Sequence, residues 1–148
     1  MKKTIFALFL MLGALVQAQT IDYNIQKGYA ANGYDVVSYF SGKAQEGLKE
    51  YTTTYDGVKY KFISQSNMEK FTADPQKYLP EYGGYCAYAV AVSGKKVKVD
   101  PETFEIRQGK LYLFYNVGKT NTLDLWLNES PNELKAKADG NWKKIKNP

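Results

Sequence analysis

Cys86 is the single cysteine of this chain, and its 148 residues contain no histidine. A histidine-based triad, a histidine-rich metal site and an internal disulfide framework are therefore excluded. What remains for chemistry is one thiol, a set of carboxylates and thirteen tyrosines. Cys86 follows the pair Gly83-Gly84. If a helix begins there, its amide groups favour the thiolate, which suits a metal ligand, a redox thiol or a covalent adduct. The same residue among Ala87, Ala89 and Ala91 also reads as a small buried side chain. An unpaired thiol in an oxidising compartment is either shielded or used, and the expectation here leans to a shielded sulfur.

Among the carboxylates, Asp74 and Asp100 precede prolines, where turn and capping roles are commonest. Asp35 differs because it lies inside the apolar run Tyr34 to Phe40. A carboxylate there must be paired, hydrogen-bonded or facing a cleft. Most tyrosines fall at strand spacing and read as packing residues. Tyr82, Tyr85 and Tyr88 instead gather around Cys86, where aromatic walls with polar tips would suit a pocket. The candidate ligand-binding set is thus Cys86, Asp35, Tyr82 and Tyr85, with the last three as pocket lining. The runs Lys95-Lys96-x-Lys98 and Lys143-Lys144-x-Lys146 read as solvated faces. The formal net charge is +5, of which Lys2 and Lys3 carry two, so a nucleic-acid partner is not expected.

The elements that must position these residues are short. Tyr34 to Phe40 is β-branched and aromatic and predicts a strand. Tyr51 to Tyr55 and Val58 to Phe62 alternate around Asp56-Gly57, the dipeptide of a primed two-residue turn, and predict a hairpin with Lys59 and Lys61 on its solvent face. A capping box at Ser66-x-x-Glu69 predicts a helix that stops near Asp74-Pro75, with one further turn before Pro80. Residues 83–92 read as helix or strand, since small and apolar residues there carry no clear period. A second hairpin is expected from Phe104 through Gln108-Gly109 to Tyr115. Ser130-Pro131-Asn132-Glu133 then starts a C-terminal helix with Leu134, Ala138, Trp142 and Ile145 on one stripe. The expected fold class is α+β, with a small antiparallel sheet built from hairpins, short helices and the C-terminal helix.

Residues 1–18 read as an export signal. Lys2 and Lys3 precede the apolar run Ile5 to Val16, and Val16-Gln17-Ala18 supplies small residues for cleavage before Gln19. The run is shorter than the ~20 residues that span a bilayer, and no later segment is long and apolar enough. Residues 19–148 then form one domain, exported to the periplasm or secreted.

Taken in order, these pieces resemble exported YHS-domain proteins, relatives of the TRASH-type metal-binding domains. The resemblance runs through Gly33-Tyr34-Asp35-Val36-Val37-Ser38-Tyr39-Phe40, Tyr60-Lys61-Phe62-Ile63-Ser64, Phe71 to Tyr78, Tyr82-Gly83-Gly84-Tyr85-Cys86-Ala87, Gly109 to Leu113 and Ala138-Asp139-Gly140-Asn141-Trp142. It implies a single YHS-like domain. In metal-binding members the motif reads Phe-Cys-Ser-x-x-Cys, with thiolates as ligands. Here the aligned stretch is Phe62-Ile63-Ser64-Gln65-Ser66-Asn67, so Ile63 and Asn67 stand at the ligand positions. The usual metal site is absent, although Cys86 with carboxylates, or two Cys86 residues from paired chains, would still hold copper or zinc weakly.

The sequence thus points to a small exported binding protein of the YHS type without catalytic activity. Its ligand would be a small molecule or a weakly held metal ion near Cys86. An interaction module for an envelope protein, with Cys86 structural, is the alternative. A thiol-based redox protein comes last, because there is no histidine base and no second cysteine to resolve a disulfide.

Overall fold

Four consecutive apolar residues, Leu111-Tyr112-Leu113-Phe114, divide the interior of the protein in two. The computed structural model describes residues 20–148, so the leader expected at 1–18 lies outside the described residues. In an extended strand successive side chains point to opposite faces. Leu111 and Leu113 accordingly join one cluster, with Val36, Tyr39, Tyr60, Phe62 and Phe71. Tyr112 and Phe114 join the other, with Val90, Trp126, Leu134 and Ala138. A strand buried on both faces reads as a continuous apolar run, as this one does.

The chain order is β1 (Ile25–Gln26), β2 (Tyr29–Ala30), β3 (Leu48–Tyr55), β4 (Val58–Phe62), α1 (Gln65–Ala73), α2 (Pro75–Tyr78), α3 (Ala87–Ser93), β5 (Asp100–Arg107), β6 (Lys110–Phe114), β7 (Asn116–Val117), β8 (Thr120–Asn121), α4 (Thr122–Asn128) and α5 (Pro131–Ile145). The class is α+β. Consecutive strands pair antiparallel, β1 with β2, β3 with β4, β5 with β6 and β7 with β8, as four separate two-stranded ladders. The expected single sheet is thus divided into hairpins. No described helix is long and apolar enough to cross a membrane.

Both long hairpins turn where the sequence places them. Asp56 and Gly57 sit at φ +50° and +75°, and Gln108 and Gly109 at +51° and +74°. Positive φ at both central residues matches the right-handed twist of the flanking strands. Each hairpin also carries a bulge, between Leu48 and Thr52 in β3 and between Asp100 and Phe104 in β5.

Three local expectations are corrected. Tyr34 to Phe40 is not a strand: Tyr34 makes one isolated bridge to Glu46, and Ser38–Ser41 form a 3₁₀ turn. The Asp35 carboxylate accepts from the Val37 and Ser38 N–H groups, and this local bond competes with a ladder. Helix α1 is capped by Ser64 rather than Ser66, since the Ser64 hydroxyl accepts from Asn67 N at 3.1 Å. Finally, α5 starts after Ser130 with Pro131 in its first turn, but Ser130 caps through its carbonyl, accepting from Leu134 N, and not through its side chain. Residues 83–92, open between helix and strand, resolve into a left-handed turn at 82–84 followed by α3.

Candidate functional site

The four residues singled out from sequence occupy three different settings. Asp35 is fully buried. Its Oδ1 accepts from Val37 N at 2.8 Å and Ser38 N at 3.2 Å. Its Oδ2 accepts from Ile63 N at 2.9 Å and from Asn67 Nδ2 at 2.8 Å. One carboxylate thus ties the turn after Tyr34 to the start of α1. Asp35 faces no cleft, and its place as pocket lining is corrected to a buried hydrogen-bond centre.

Those two partners, Ile63 and Asn67, are the positions that carry thiolates in metal-binding relatives. Here both present N–H donors toward a single carboxylate oxygen. Donor hydrogens converging on one point repel a cation, and the Ile63 side chain offers no ligand atom. The residues at this locus do not fit a metal ion. Among the described residues there is also no grouping of three or more histidine, cysteine, aspartate or glutamate side chains able to hold one.

Cys86 has no exposed surface. Its Sγ lies 3.3 Å from Thr122 Oγ1, while Thr122 Oγ1 donates to the Tyr115 carbonyl at 2.7 Å. A hydroxyl has one proton, so the thiol is the donor in the first contact. Cys86 does precede α3, as the helix reading required, yet its side chain makes no capping bond to the amides there. A ligand beside this sulfur, or a metal shared between two copies through paired Cys86 residues, would need the core opened. Maleimide labelling of native protein should therefore be slow and accelerate on denaturation. Cys86→Ala should cost about 1–2 kcal/mol, read as a shift in denaturant midpoint. Rapid labelling of the folded chain would show this placement to be wrong.

Tyr82 and Tyr85 pack on opposite sides of Trp142, with ring centroids 6.4 Å and 6.3 Å from it. The Tyr82 hydroxyl donates to Asp139 at 2.8 Å, and burial together with that carboxylate raises its pKa. The Tyr85 hydroxyl donates to Asp22 at 3.3 Å, and burial, followed by Asp22, raises its pKa. Gly83 between them has φ +62°, and a Cβ there would meet the Asp22 carbonyl at 2.8 Å and Trp142 at 2.9 Å. The glycine thus serves close backbone packing. Of the four candidates, Tyr82 does line a cleft, of about 150 Å³, together with Tyr23, Gln76, Glu81 and Trp142. That volume suits a few waters more than an organic ligand.

A roomier cleft, of about 260 Å³, opens elsewhere, between the N-terminal hairpin and the segments that flank β5 and β6. Asn32 lines it, and so do Lys98, Asp100 and Tyr115, with Val99 and Val117 as apolar wall. Asn32 Oδ1 is buried and has no hydrogen-bond partner. Native interiors rarely leave such an acceptor unpaired, so each instance asks for a reason. The backbone around it is also unusual. Ala31, Asn32 and Gly33 have φ of +49°, +54° and +81°, three left-handed residues in succession. Asparagine and glycine adopt this region readily but alanine does not, and strain of this kind concentrates at functional sites. On the facing side Asp100 is held by its own turn, accepting from Glu102 N at 3.0 Å and from Thr103 Oγ1 at 3.0 Å. The expected turn role of Asp100 is thus met, and the β5 bulge that follows it leaves the residue at the cleft wall.

None of these cleft residues entered the sequence-based set. Lys98 reads as part of a solvated run and Asp100 as a turn residue. The one available signal is Asn32-Gly33, a dipeptide that favours left-handed backbone.

Comparison with known families adds one finding. Residues 42–82 match the family model of the YHS domain. The resemblance read from the residues therefore holds over that segment, from Gly42 through the first hairpin and α1 to Tyr82. Asp35, Asn32 and Cys86 lie outside it. The chain matches no curated protein and no solved structure.

Proposed function

We propose that this chain is an exported, non-catalytic binding protein that holds a small polar molecule in the cleft beside Asn32, with no thiolate-bound metal. The observation that carries the reading is the buried, unpartnered Asn32 Oδ1 on the wall of an open cleft. Pockets for drug-sized ligands run from roughly 300 to 1,000 Å³, so this one suits a smaller molecule. A binding role agrees with the YHS match, and the donors turned toward Asp35 separate this chain from relatives that bind metal. The absence of histidine from the sequence and the sealed single thiol support a role without catalysis. The leader pattern at 1–18 supports export.

The alternative of an envelope interaction module gains from two observations. Cys86 is sealed, as a structural cysteine would be, and α4 leaves Leu125 and Leu127 exposed. Native mass spectrometry of protein isolated from its own envelope separates the two. The expected spectrum shows a chain beginning at Gln19 and carrying a small non-covalent mass. A chain retaining residues 1–18 would overturn export. A mature chain that carries no small mass, but co-purifies stoichiometrically with a second protein, would favour the interaction module.

A further inference from the structure

The walls of the cleft beside Asn32 carry one charge of each sign. Lys98 is exposed and, among the described residues, makes no hydrogen bond or ion pair. Asp100 is half-buried, and each of its carboxylate oxygens accepts one internal hydrogen bond. A carboxylate oxygen has a second acceptor site, so Asp100 retains capacity for a donor in the cleft. Asn32 Oδ1 needs a donor outright, and the Tyr115 hydroxyl has no partner among the described residues. The polar requirements of the cleft are thus an anion for Lys98 and Tyr115, and a multiple donor for Asp100 and Asn32. A simple anion would leave Asn32 and Asp100 unserved, and a simple cation would leave Lys98 unserved. Val99 and Val117 add apolar wall, and the volume of about 260 Å³ limits the occupant to a small molecule.

We infer that the ligand of this cleft is a zwitterion of the free amino-acid class. Its carboxylate pairs with Lys98 Nζ and the Tyr115 hydroxyl. Its ammonium group, with three donors, serves Asp100 and Asn32 Oδ1. Its side chain lies against Val99 and Val117. This inference rests on the binding function proposed above and names the ligand class for the same cleft. The left-handed turn at 31–33 has a role in this picture, since it holds the Asn32 amide at the wall with no partner of its own.

The test is titration calorimetry of the mature chain with each of the twenty free amino acids at millimolar concentration. For any that binds, the N-acetyl and carboxamide derivatives follow. The expected result is one-to-one binding by at least one free amino acid, weakened about tenfold or more by blocking either end. A free amino acid at a hundred times its Kd should also raise Tm by roughly 5–10 °C. Lys98→Met and Asn32→Gly should each weaken binding about tenfold. Both variants should fold, because Lys98 is exposed and glycine accepts the left-handed backbone at position 32. Equal binding of the blocked derivatives would overturn the zwitterion. Unchanged affinity in both variants would overturn the site. If the native protein carries a small mass but no free amino acid binds, the ligand class is wrong while the binding function stands. If there is neither a retained mass nor a titration, both fail.

Discussion

Asp35→Ala should destabilise the protein by on the order of 4 kcal/mol, read from the denaturant midpoint at unchanged m-value. The substitution removes one acceptor group that serves four donors. Val37 N, Ser38 N, Ile63 N and Asn67 Nδ2 would all lose it, at a point with no access to water. Each buried donor left unmade costs roughly 1–3 kcal/mol, and the total falls below the plain sum because part of the turn can relax outward. Asp35→Asn makes a sharper test, because it conserves volume. One asparagine oxygen can serve only one side of the site, so an amide nitrogen must face either the Val37 and Ser38 donors or the Ile63 and Asn67 donors. Much of the loss should therefore persist in Asp35→Asn. Asn67→Ala, which leaves the carboxylate with three donors, should cost about 1 kcal/mol. A loss below about 1 kcal/mol in Asp35→Ala would show that this centre does not hold the fold together.

The same residue shows why part of this molecule was legible in the sequence and part was not. Asp35 was marked as unusual because a carboxylate inside an apolar run needs partners, and that inference is met by four of them. The element around it was misread. Val36, Val37, Tyr39 and Phe40 have strand composition, but their apolar character reports burial, and burial does not distinguish a strand from a tight turn packed on one. A side chain that bonds its own backbone two and three residues ahead decides the matter, and composition does not register that. The hairpins at Asp56-Gly57 and Gln108-Gly109 were legible because their turns are set by residues adjacent in sequence. Ser64 and Ser66 are equivalent by motif, and only the backbone selects the first as cap.

The binding cleft was hidden for a related reason. Asn32, Lys98, Asp100 and Tyr115 come from three separate stretches of chain, and each has a plain local role when read alone. Their convergence depends on the packing of β5 and β6 against the N-terminal hairpin. The cluster around Cys86 failed as a pocket for the converse reason. Residues adjacent in sequence, Tyr82, Tyr85 and Cys86, are sent by a left-handed turn and a helix start toward different partners: Asp139, Asp22 and Thr122.

Alkaline pH should unfold this protein cooperatively. Tyr39 and Tyr60 are almost without exposed surface. Burial is the largest cause lifting both phenols well above their ordinary value of 10.0, with neighbouring tyrosines and acids adding to it. The neutral phenol is therefore favoured in the folded state. The stability it lends is fully present below pH 10 and is lost as pH rises toward the folded-state value, because the unfolded chain releases those protons first. Each such group contributes up to about 1.4 kcal/mol per pH unit, so these two alone steepen the loss to roughly 3 kcal/mol per unit. Tyr82 and Tyr112, also raised by burial first, act in the same direction. A domain with a total stability of roughly 5–15 kcal/mol does not survive many units of such a slope. Phenolate absorbance should accordingly show two phases. Exposed tyrosines such as Tyr51 and Tyr55 should titrate without structural change, followed by a steep rise that coincides with loss of the circular dichroism signal. Tyr60→Phe should remove about half of the slope assigned to Tyr39 and Tyr60, and so move the unfolding transition to higher pH relative to its stability at neutral pH. If all thirteen phenols ionise near pH 10 while the dichroism stays unchanged, Tyr39 and Tyr60 are not sealed in the core and the packing on the first face of β6 is wrong.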